Sequence, residues 1–311
     1  MTAIKAALRG SLEAIEYAGA LGAAAALRAL SLDAASSTMG LLWRTLGPLT
    51  PRHARAMAHL ALALPELDDA TRRRVAAGMW DNLGRVAAET MQIDRLAAEP
   101  GRIEIPDETL AILDRTRGGA VLVSLHAGNW EIVVRAAAAA GLVSTGVYKP
   151  LDNVAVDRWL RAKREPLYAG GLVPKSSEAA RVLIGRVKAG QTIAVMADLR
   201  DSRGIQVPFF GLPAYANPFP AMVARMTGRP MVAGRVRRLD GVRFRVDAAV
   251  VPVAATDDRT ADVAATTAAL HAVFEHWIRE APEQWMWIHR KWDRDRSKRR
   301  ARRDGNGDDE G

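Results

Sequence analysis

Apolar residues recur at spacings of three and four along the first hundred positions, a pattern that predicts helices. The pattern is clearest in residues 31–47 and 51–91. Asp68 or Asp69 precedes its longest stretch, where a carboxylate can cap the start of a helix. Residues 1–100 are therefore predicted to form a helical N-terminal region that packs on the rest of the chain and offers a surface to a membrane.

From about residue 118 the pattern changes to short, continuous apolar runs such as "VLVSL" and "QTIAVM", separated by helical periodicity. Strands that alternate with helices favour a largely parallel sheet covered on both faces. One pair of strands is predicted to turn at Asp240-Gly241, and residues 199–216 are predicted to form a long loop. We therefore expect an α/β fold with a mostly parallel central sheet flanked by helices, in residues 101–292.

Composition narrows the chemistry without changing this picture. The chain has 311 residues, 49% of them hydrophobic, which suits one large domain with a helical addition. It has no cysteine, so disulfides, thiolate metal sites and a cysteine nucleophile are excluded. Three histidines near the C-terminus (His271, His276 and His289) lack metal-ligand spacing with acidic partners, and no metal or cofactor is predicted.

The formal net charge of +9 predicts a polyanionic partner. No nucleic-acid-binding motif accompanies it, so an anionic membrane surface or an acidic protein is favoured over nucleic acid. Residues 293–311, basic and then acidic, are predicted to be a disordered tail or a membrane-binding one. The apolar run at 17–27 is too short to span a bilayer, and we expect a helix that is buried or lies in a membrane interface.

The most informative stretch is "VLVSLHAGNWE", residues 121–131. It places His126 beyond the end of a buried strand, where ligands collect in open parallel sheets. Asn129 is a natural helix N-cap, which places Glu131 in the first helical turn. A histidine here can accept a proton from a hydroxyl, and a carboxylate on its other ring nitrogen would fix its tautomer. Taken alone, the same pair also fits a loop histidine and a carboxylate that complements a helix dipole.

Ser124 offers a different kind of chemistry, a covalent acyl-enzyme. It lacks the glycines of the G-x-S-x-G nucleophile elbow, so an acyl-enzyme at this serine is disfavoured.

Beyond this stretch, the chain resembles the lipid A biosynthesis late acyltransferase family of the H-x4-[DE] glycerolipid acyltransferase-like superfamily. "HAGNWE" matches the H-x4-[DE] motif, and the other similar segments follow in the family's order. They are "MWDNLGRVAAE" (79–89), "VYKPLDN" (147–153), "AKRE" (162–165), "ADLRDSRGIQVPFFGLPAYAN" (197–217) and "PEQWMWIHRKW" (282–292). The resemblance covers roughly residues 75–292.

The resemblance implies a glycerol-3-phosphate acyltransferase-like fold and transfer of a fatty acyl chain from acyl-acyl carrier protein to a hydroxyl of a Kdo-modified lipid A precursor. His126 would be the general base and Glu131 its orienting partner. No cofactor is implied. The enzyme would be peripheral or monotopic on the cytoplasmic side of the inner membrane.

Other positions in the similar blocks are candidates for substrate binding. Lys149 stands where the family carries arginine, and it keeps the charge without the bidentate fork. Arg164 is predicted to bind a lipid phosphate or an acidic carrier helix, or simply to be solvated. Asp198 is expected at the same sheet edge as His126. Three residues are predicted to form an apolar wall near the acyl chain, or plain core: Phe209, Phe210 and Gly211.

Four tryptophans crowd the C-terminal end beside basic residues. Trp277 is expected in the core, and Trp285, Trp287 and Trp292 are expected at a lipid headgroup boundary. Two other functions stay open from the residues. One is acylation of another glycolipid, such as a phosphatidylinositol mannoside, from acyl-CoA; the other is non-catalytic binding of membrane or nucleic acid through the basic tail.

Overall fold

The structure, a computed structural model, describes residues 2–292, with side chains for all of these except residues 2–9 and 177. The predicted tail at 293–311 lies outside the described residues.

The first third of the chain is helical, as predicted. Asp68 caps the helix that begins at Asp69: its Oδ1 accepts a hydrogen bond from the Thr71 backbone N–H at 2.6 Å. The five helices are α1 (Thr2–Arg28), α2 (Leu32–Leu46), α3 (Pro51–Ala63), α4 (Asp69–Met91) and α5 (Ile93–Ala98).

A seven-stranded, mostly parallel sheet forms the centre, in the order β1-β9-β8-β2-β5-β3-β4. Only β8 and β9 pair in antiparallel fashion, and they are the strand pair predicted to turn at Asp240-Gly241. The α/β expectation is therefore confirmed. The strands are β1 (Ile103–Glu104), β2 (Val121–Ser124), β3 (Ser144–Tyr148), β4 (Leu172–Pro174), β5 (Thr192–Met196), β8 (Met231–Arg238) and β9 (Phe244–Val251).

Helices cover both faces of this sheet, which explains why its central strands β2 and β5 are mostly apolar. Besides α1 to α5, the helices are α6 (Asp107–Asp114), α7 (Val134–Ala139), α8 (Val154–Arg164), α9 (Ser177–Lys188), α10 (Phe219–Thr227) and α11 (Arg259–Glu280). In β2, Val121 and Val123 join the larger core cluster with α3, α4 and the helices α9 to α11. Leu122 packs against the second cluster, with α5 to α7.

Two local predictions were wrong. The predicted loop at 199–216 contains an antiparallel hairpin of β6 (Ile205–Phe209) and β7 (Leu212–Ala216). The alternation of apolar and polar residues in these strands is masked by prolines and turn residues. At the tip of the hairpin, Phe210 and Gly211 both have positive φ. The helix predicted from Asn129 begins as a three-residue 3₁₀ turn, Trp130–Ile132, before α7.

The apolar N-terminal run lies in α1, most of which is exposed. Within the run at 17–27, Ala24 and Leu27 are buried, whereas Leu21 is 37% exposed. Most of the run is exposed, so burial, one of the two alternatives, is wrong, and a place in a membrane interface stays a prediction. No helix within residues 2–292 combines the length and hydropathy that a membrane crossing requires.

Candidate active site

The site lies where β2 and β5 end side by side. These strands are parallel and in register, with Ser124 opposite Met196. His126 follows Ser124 by two residues, and Asp198 follows Met196 by two residues. The two side chains therefore meet beyond the carboxyl edge of the sheet. His126 Nδ1 lies 2.7 Å from Asp198 Oδ1, and the His126 backbone N–H donates to Oδ2 at 2.9 Å.

Asp198 is a buried carboxylate held in its ionised form. Burial alone would raise its pKa, but the charge and two hydrogen bonds of His126 hold the pKa below its usual range. The Trp285 indole adds a third donor, at 2.9 Å from Oδ2. In the neutral form of the imidazole, the ionised Asp198 accepts a hydrogen bond from Nδ1–H, and Nε2 then carries the lone pair. The His126 side chain keeps 15% exposure, so it is not sealed off from the surface.

A buried lysine supports Asp198 from behind. Lys291 Nζ donates to the Asp198 carbonyl oxygen at 2.7 Å and lies 3.0 Å from His271 Nε2. Burial lowers the pKa of Lys291 to about 8, opposed by Asp198. Burial and the lysine charge lower the pKa of His271 to about 3, so that His271 is the neutral acceptor. This arrangement fixes the backbone from which Asp198 projects.

Glu131 has a different partner from the predicted one. Its carboxylate pairs with the Arg164 guanidinium, and the orienting contact to His126 comes from Asp198 instead. The reason is local: Asn129 does cap the turn by accepting from the Glu131 N–H at 3.2 Å, but the turn is 3₁₀ and directs Glu131 toward α8. Arg164 was predicted to meet a lipid phosphate or a carrier helix, and here its partner is Glu131.

A buried polar network holds the loop between His126 and Glu131. Glu89 on α4 is 1% exposed, accepts from Asn129 at 2.9 Å, and forms a bidentate pair with Arg238. Asn82 donates to the Gly128 carbonyl at 3.1 Å. Gly128 has φ +57°, and a Cβ there would lie 2.0 Å from the Val236 carbonyl oxygen. The loop is thus packed too closely against β8 for any larger residue.

The C-terminal segment closes the other side of the loop. Its Trp285 forms a β-bridge with Ala127, and the Met286 N–H donates to the His126 carbonyl at 3.2 Å. Trp285, Trp287 and Trp292 are 2%, 0% and 8% exposed. The prediction that they lie at a lipid headgroup boundary was wrong, because their indoles fill an aromatic cluster on the face of the sheet that is covered by α3 and α4.

Trp277 is buried, as predicted. Phe209 and Phe210 belong to the same aromatic cluster as Trp292, at ring-centroid distances of 5.5 and 5.9 Å. With Gly211 they form the tip of the β6–β7 hairpin, and their contact with an acyl chain stays a prediction. Lys149 is exposed immediately after β3, at the same edge of the sheet as His126.

An apolar cavity lies beneath the site, on the opposite face of the sheet from this aromatic cluster. Its upper end is lined by Ser124, Met196 and Gly234, which are paired across β2, β5 and β8. Its walls include Tyr168 and Ala137. The Ser124 hydroxyl is buried, and no residue in the described part of the chain bonds it. Burial, and then Glu131, raise the pKa of Tyr168, which places this wall beside the Glu131–Arg164 pair.

This arrangement supports proton abstraction by His126 next to the apolar cavity. Within residues 2–292, no three histidine or carboxylate side chains converge as metal ligands. Sequence reasoning missed Trp285, Lys291 and His271 as supports of Asp198. The crowding of tryptophan and basic residues near the C-terminus was the available signal, and it was interpreted as a lipid boundary.

Comparison with known proteins identifies the family. The family described as "Bacterial lipid A biosynthesis acyltransferase" matches residues 3–294. The chain is also 27% identical over 245 residues to "Lipid A biosynthesis lauroyltransferase" of Escherichia coli (strain K12), covering 75% of this chain and 76% of that protein. With a family match over nearly its whole length, this chain belongs to the bacterial lipid A biosynthesis acyltransferases.

Proposed function

We propose that this acyltransferase moves a fatty acyl chain from acyl-acyl carrier protein to a hydroxyl of a Kdo-modified lipid A precursor, by direct transfer. The observation that carries the proposal is the His126–Asp198 pair at the end of β2, because it supplies an imidazole oriented by a carboxylate at an open sheet edge. The similarity to a lipid A biosynthesis lauroyltransferase of Escherichia coli supports a lipid A precursor as the acceptor.

In the proposed reaction, His126 Nε2 removes the proton of the acceptor hydroxyl as its oxygen attacks the thioester carbonyl. A carbon–oxygen bond forms, the carbon–sulfur bond breaks, and the imidazolium returns the proton to the departing thiolate. Asp198 stays ionised and stabilises the imidazolium that forms between these steps. No side chain of the enzyme becomes acylated.

Glu131 and Arg164 act as a second unit in this proposal. Glu131 is 7% exposed, so its charge is held almost out of water and fixes the guanidinium. Arg164 Nε is buried, and among the described residues it has no hydrogen-bond partner. We assign Arg164 to an anionic or carbonyl oxygen of a substrate, with Glu131 as its positioning residue.

The apolar cavity accommodates the acyl chain. Its upper end, at Ser124, lies two residues before His126, so a chain whose carbonyl is at the histidine can enter between the sheet and α7. Phe209 and Phe210 lie in the aromatic cluster that supports the base, and their predicted contact with the acyl chain would be made from that side.

The same proposal places the protein at the inner membrane, on its cytoplasmic side. The net charge of +9 favours an anionic surface. Large apolar side chains are exposed on α2 and just after it, with Leu41 at 65% and Leu49 at 79%. A membrane-bound acceptor would meet the site from this helical side.

The test is acyl transfer by the purified protein in detergent, with two donors and two acceptors. The proposal predicts an ester product from acyl-acyl carrier protein and Kdo-modified lipid A precursor. Preference for acyl-CoA and a phosphatidylinositol mannoside would replace it. Intact mass spectrometry after mixing with donor alone should show an unmodified chain, and a stable acyl adduct would refute direct transfer.

A cellular experiment addresses the acceptor. Lipid A from cells that lack the protein should miss one acyl mass, which identifies both the chain and its position. Unchanged lipid A would contradict the proposal. Deleting residues 293–311 should leave the chemistry intact in detergent.

A further inference from the structure

A second histidine lies beside the proposed base. His289, in the C-terminal segment, has its ring centroid 6.3 Å from that of His126, with the two ring planes 37° apart. It is exposed at the rim of the site, whereas the neighbouring Trp287 and Lys291 are buried. His289 therefore borders the space that a substrate must occupy to reach His126.

The first turn of α3 is fastened next to this histidine. Arg55 Nη1 donates to the carbonyl oxygen of Ile288 at 3.1 Å. His53 Nδ1 accepts from the Trp80 indole at 3.2 Å, which ties the same turn to α4. The Arg55 guanidinium is thereby held beside His289, and Arg52, one helical turn earlier and exposed, is near enough for its charge to act on the same ring.

Among the described residues, most of the charges that act on His289 are positive. Although the ring reaches the surface, loss of part of its surrounding water lowers its pKa most, followed by the charges of His126, Arg52 and Arg55, against an opposing effect of Asp198. The Asp198 carboxylate is already engaged by His126 and Trp285.

Within the described residues, neither Arg52 nor Arg55 takes part in an ion pair, whereas Arg164, also near the site, pairs with Glu131. Arg52 is exposed and Arg55 is partly buried, so an anion can reach both from solvent and is attracted by two positive charges.

We infer that Arg52, Arg55 and His289 form an anion-binding subsite beside His126 that takes a phosphate group. Guanidinium groups present donors in a planar fork that matches phosphate oxygens, and a histidine N–H completes the cradle. That the phosphate belongs to a substrate of acyl transfer rests on the proposed function. Two sources share this chemistry: the phosphodiester of the carrier's phosphopantetheine arm, and a phosphate on the glycolipid acceptor.

The direct experiment needs no acyl transfer. Full-length protein with isotope-labelled histidine is titrated with inorganic phosphate at constant ionic strength, and the His289 ring signals are followed by NMR. Assignment comes from loss of the signals in His289→Gln. We expect a saturable shift and a higher His289 pKa when phosphate is bound, because an anion favours the imidazolium. In the double variant Arg52→Gln/Arg55→Gln, the affinity should fall at least tenfold.

His276 is the matched control, because it is exposed on α11 and paired with Glu280, away from the site. Its signals should not respond to phosphate. A His289 signal that does not shift, or one that shifts equally in the double variant, overturns the subsite whether or not the enzyme acylates lipid A.

Kinetics then distinguish the two sources. The double variant should raise the KM of one phosphate-bearing substrate about tenfold, with a smaller effect on kcat. If the source is the donor, the penalty disappears with an acyl-pantetheine thioester that lacks the phosphate. If it is the acceptor, it disappears with a dephosphorylated acceptor. Arg44→Gln, an exposed arginine on α2, controls for loss of charge. A penalty that persists with both truncated substrates contradicts a substrate phosphate.

Discussion

Asp198 lies 72 positions after His126 in sequence and yet accepts a hydrogen bond from its Nδ1 at 2.7 Å, whereas Glu131, five positions away, pairs with Arg164. The separation follows from the parallel pairing of β2 and β5, which brings the residues after both strand ends to one edge. In the proposed mechanism, Asp198 therefore has the orienting role for which the H-x4-E spacing had suggested Glu131.

The Glu131–Arg164 pair should behave as one unit. Glu131→Gln and Arg164→Gln are each expected to lower turnover, and the double variant should be little worse than either, because each change alone leaves a partner uncompensated. A double-mutant cycle of unfolding free energies should give a coupling of about 1–3 kcal/mol.

Arg161 and Glu165 provide the control, since they form an exposed i,i+4 pair at the end of the same helix. Their coupling should be below about 0.5 kcal/mol. Additive effects of Glu131 and Arg164 would show that the two residues act independently.

The apolar cavity should control acyl length. Ala137→Leu adds bulk to the cavity wall on α7 and should shift preference toward shorter donors. Each buried methylene contributes about 0.8 kcal/mol, so displacing two changes relative kcat/KM by roughly tenfold. The measurement is competition between donors of different length. Ala138→Leu, at an exposed position of the same helix, should leave the preference unchanged; a shift of equal size there would argue against the cavity.

His271 should make the fold sensitive to acid. Its pKa of about 3 lies below the ordinary value of 6.5, so the unfolded chain binds the proton first as pH falls. The stability it contributes is fully present above pH 6.5 and is lost progressively toward pH 3, by at most about 1.4 kcal/mol per pH unit. His271→Gln keeps an acceptor for Lys291 and does not titrate.

Urea unfolding at pH 7.5 and 5.5 measures this effect. The difference in unfolding free energy between wild type and His271→Gln should shrink at the lower pH. A difference that is constant or grows would mean that His271 is not the buried neutral acceptor.

The sequence was sufficient for β2, β3, β5, β8 and β9, because these strands are largely continuous apolar runs that differ from amphipathic helices. It missed the short β1 and β4 and the β6–β7 hairpin. It also placed His126 and Asp198 at one edge. It could not supply the contacts between them, since side-chain direction after a strand depends on the turn that follows, here a 3₁₀ turn rather than the expected helix. The C-terminal tryptophans show the same limit: an indole beside arginines fits a membrane boundary and a buried cluster equally well until tertiary contacts are known.

The most direct test of the account is the rate of acyl transfer by His126→Ala under saturating substrates, with folding verified by circular dichroism. A positioned general base is expected to contribute about a hundredfold or more, so turnover should fall by at least that factor, and Asp198→Asn should cause a large loss of the same kind. A folded His126→Ala protein that retains near wild-type rates would contradict the assignment of His126 as the base.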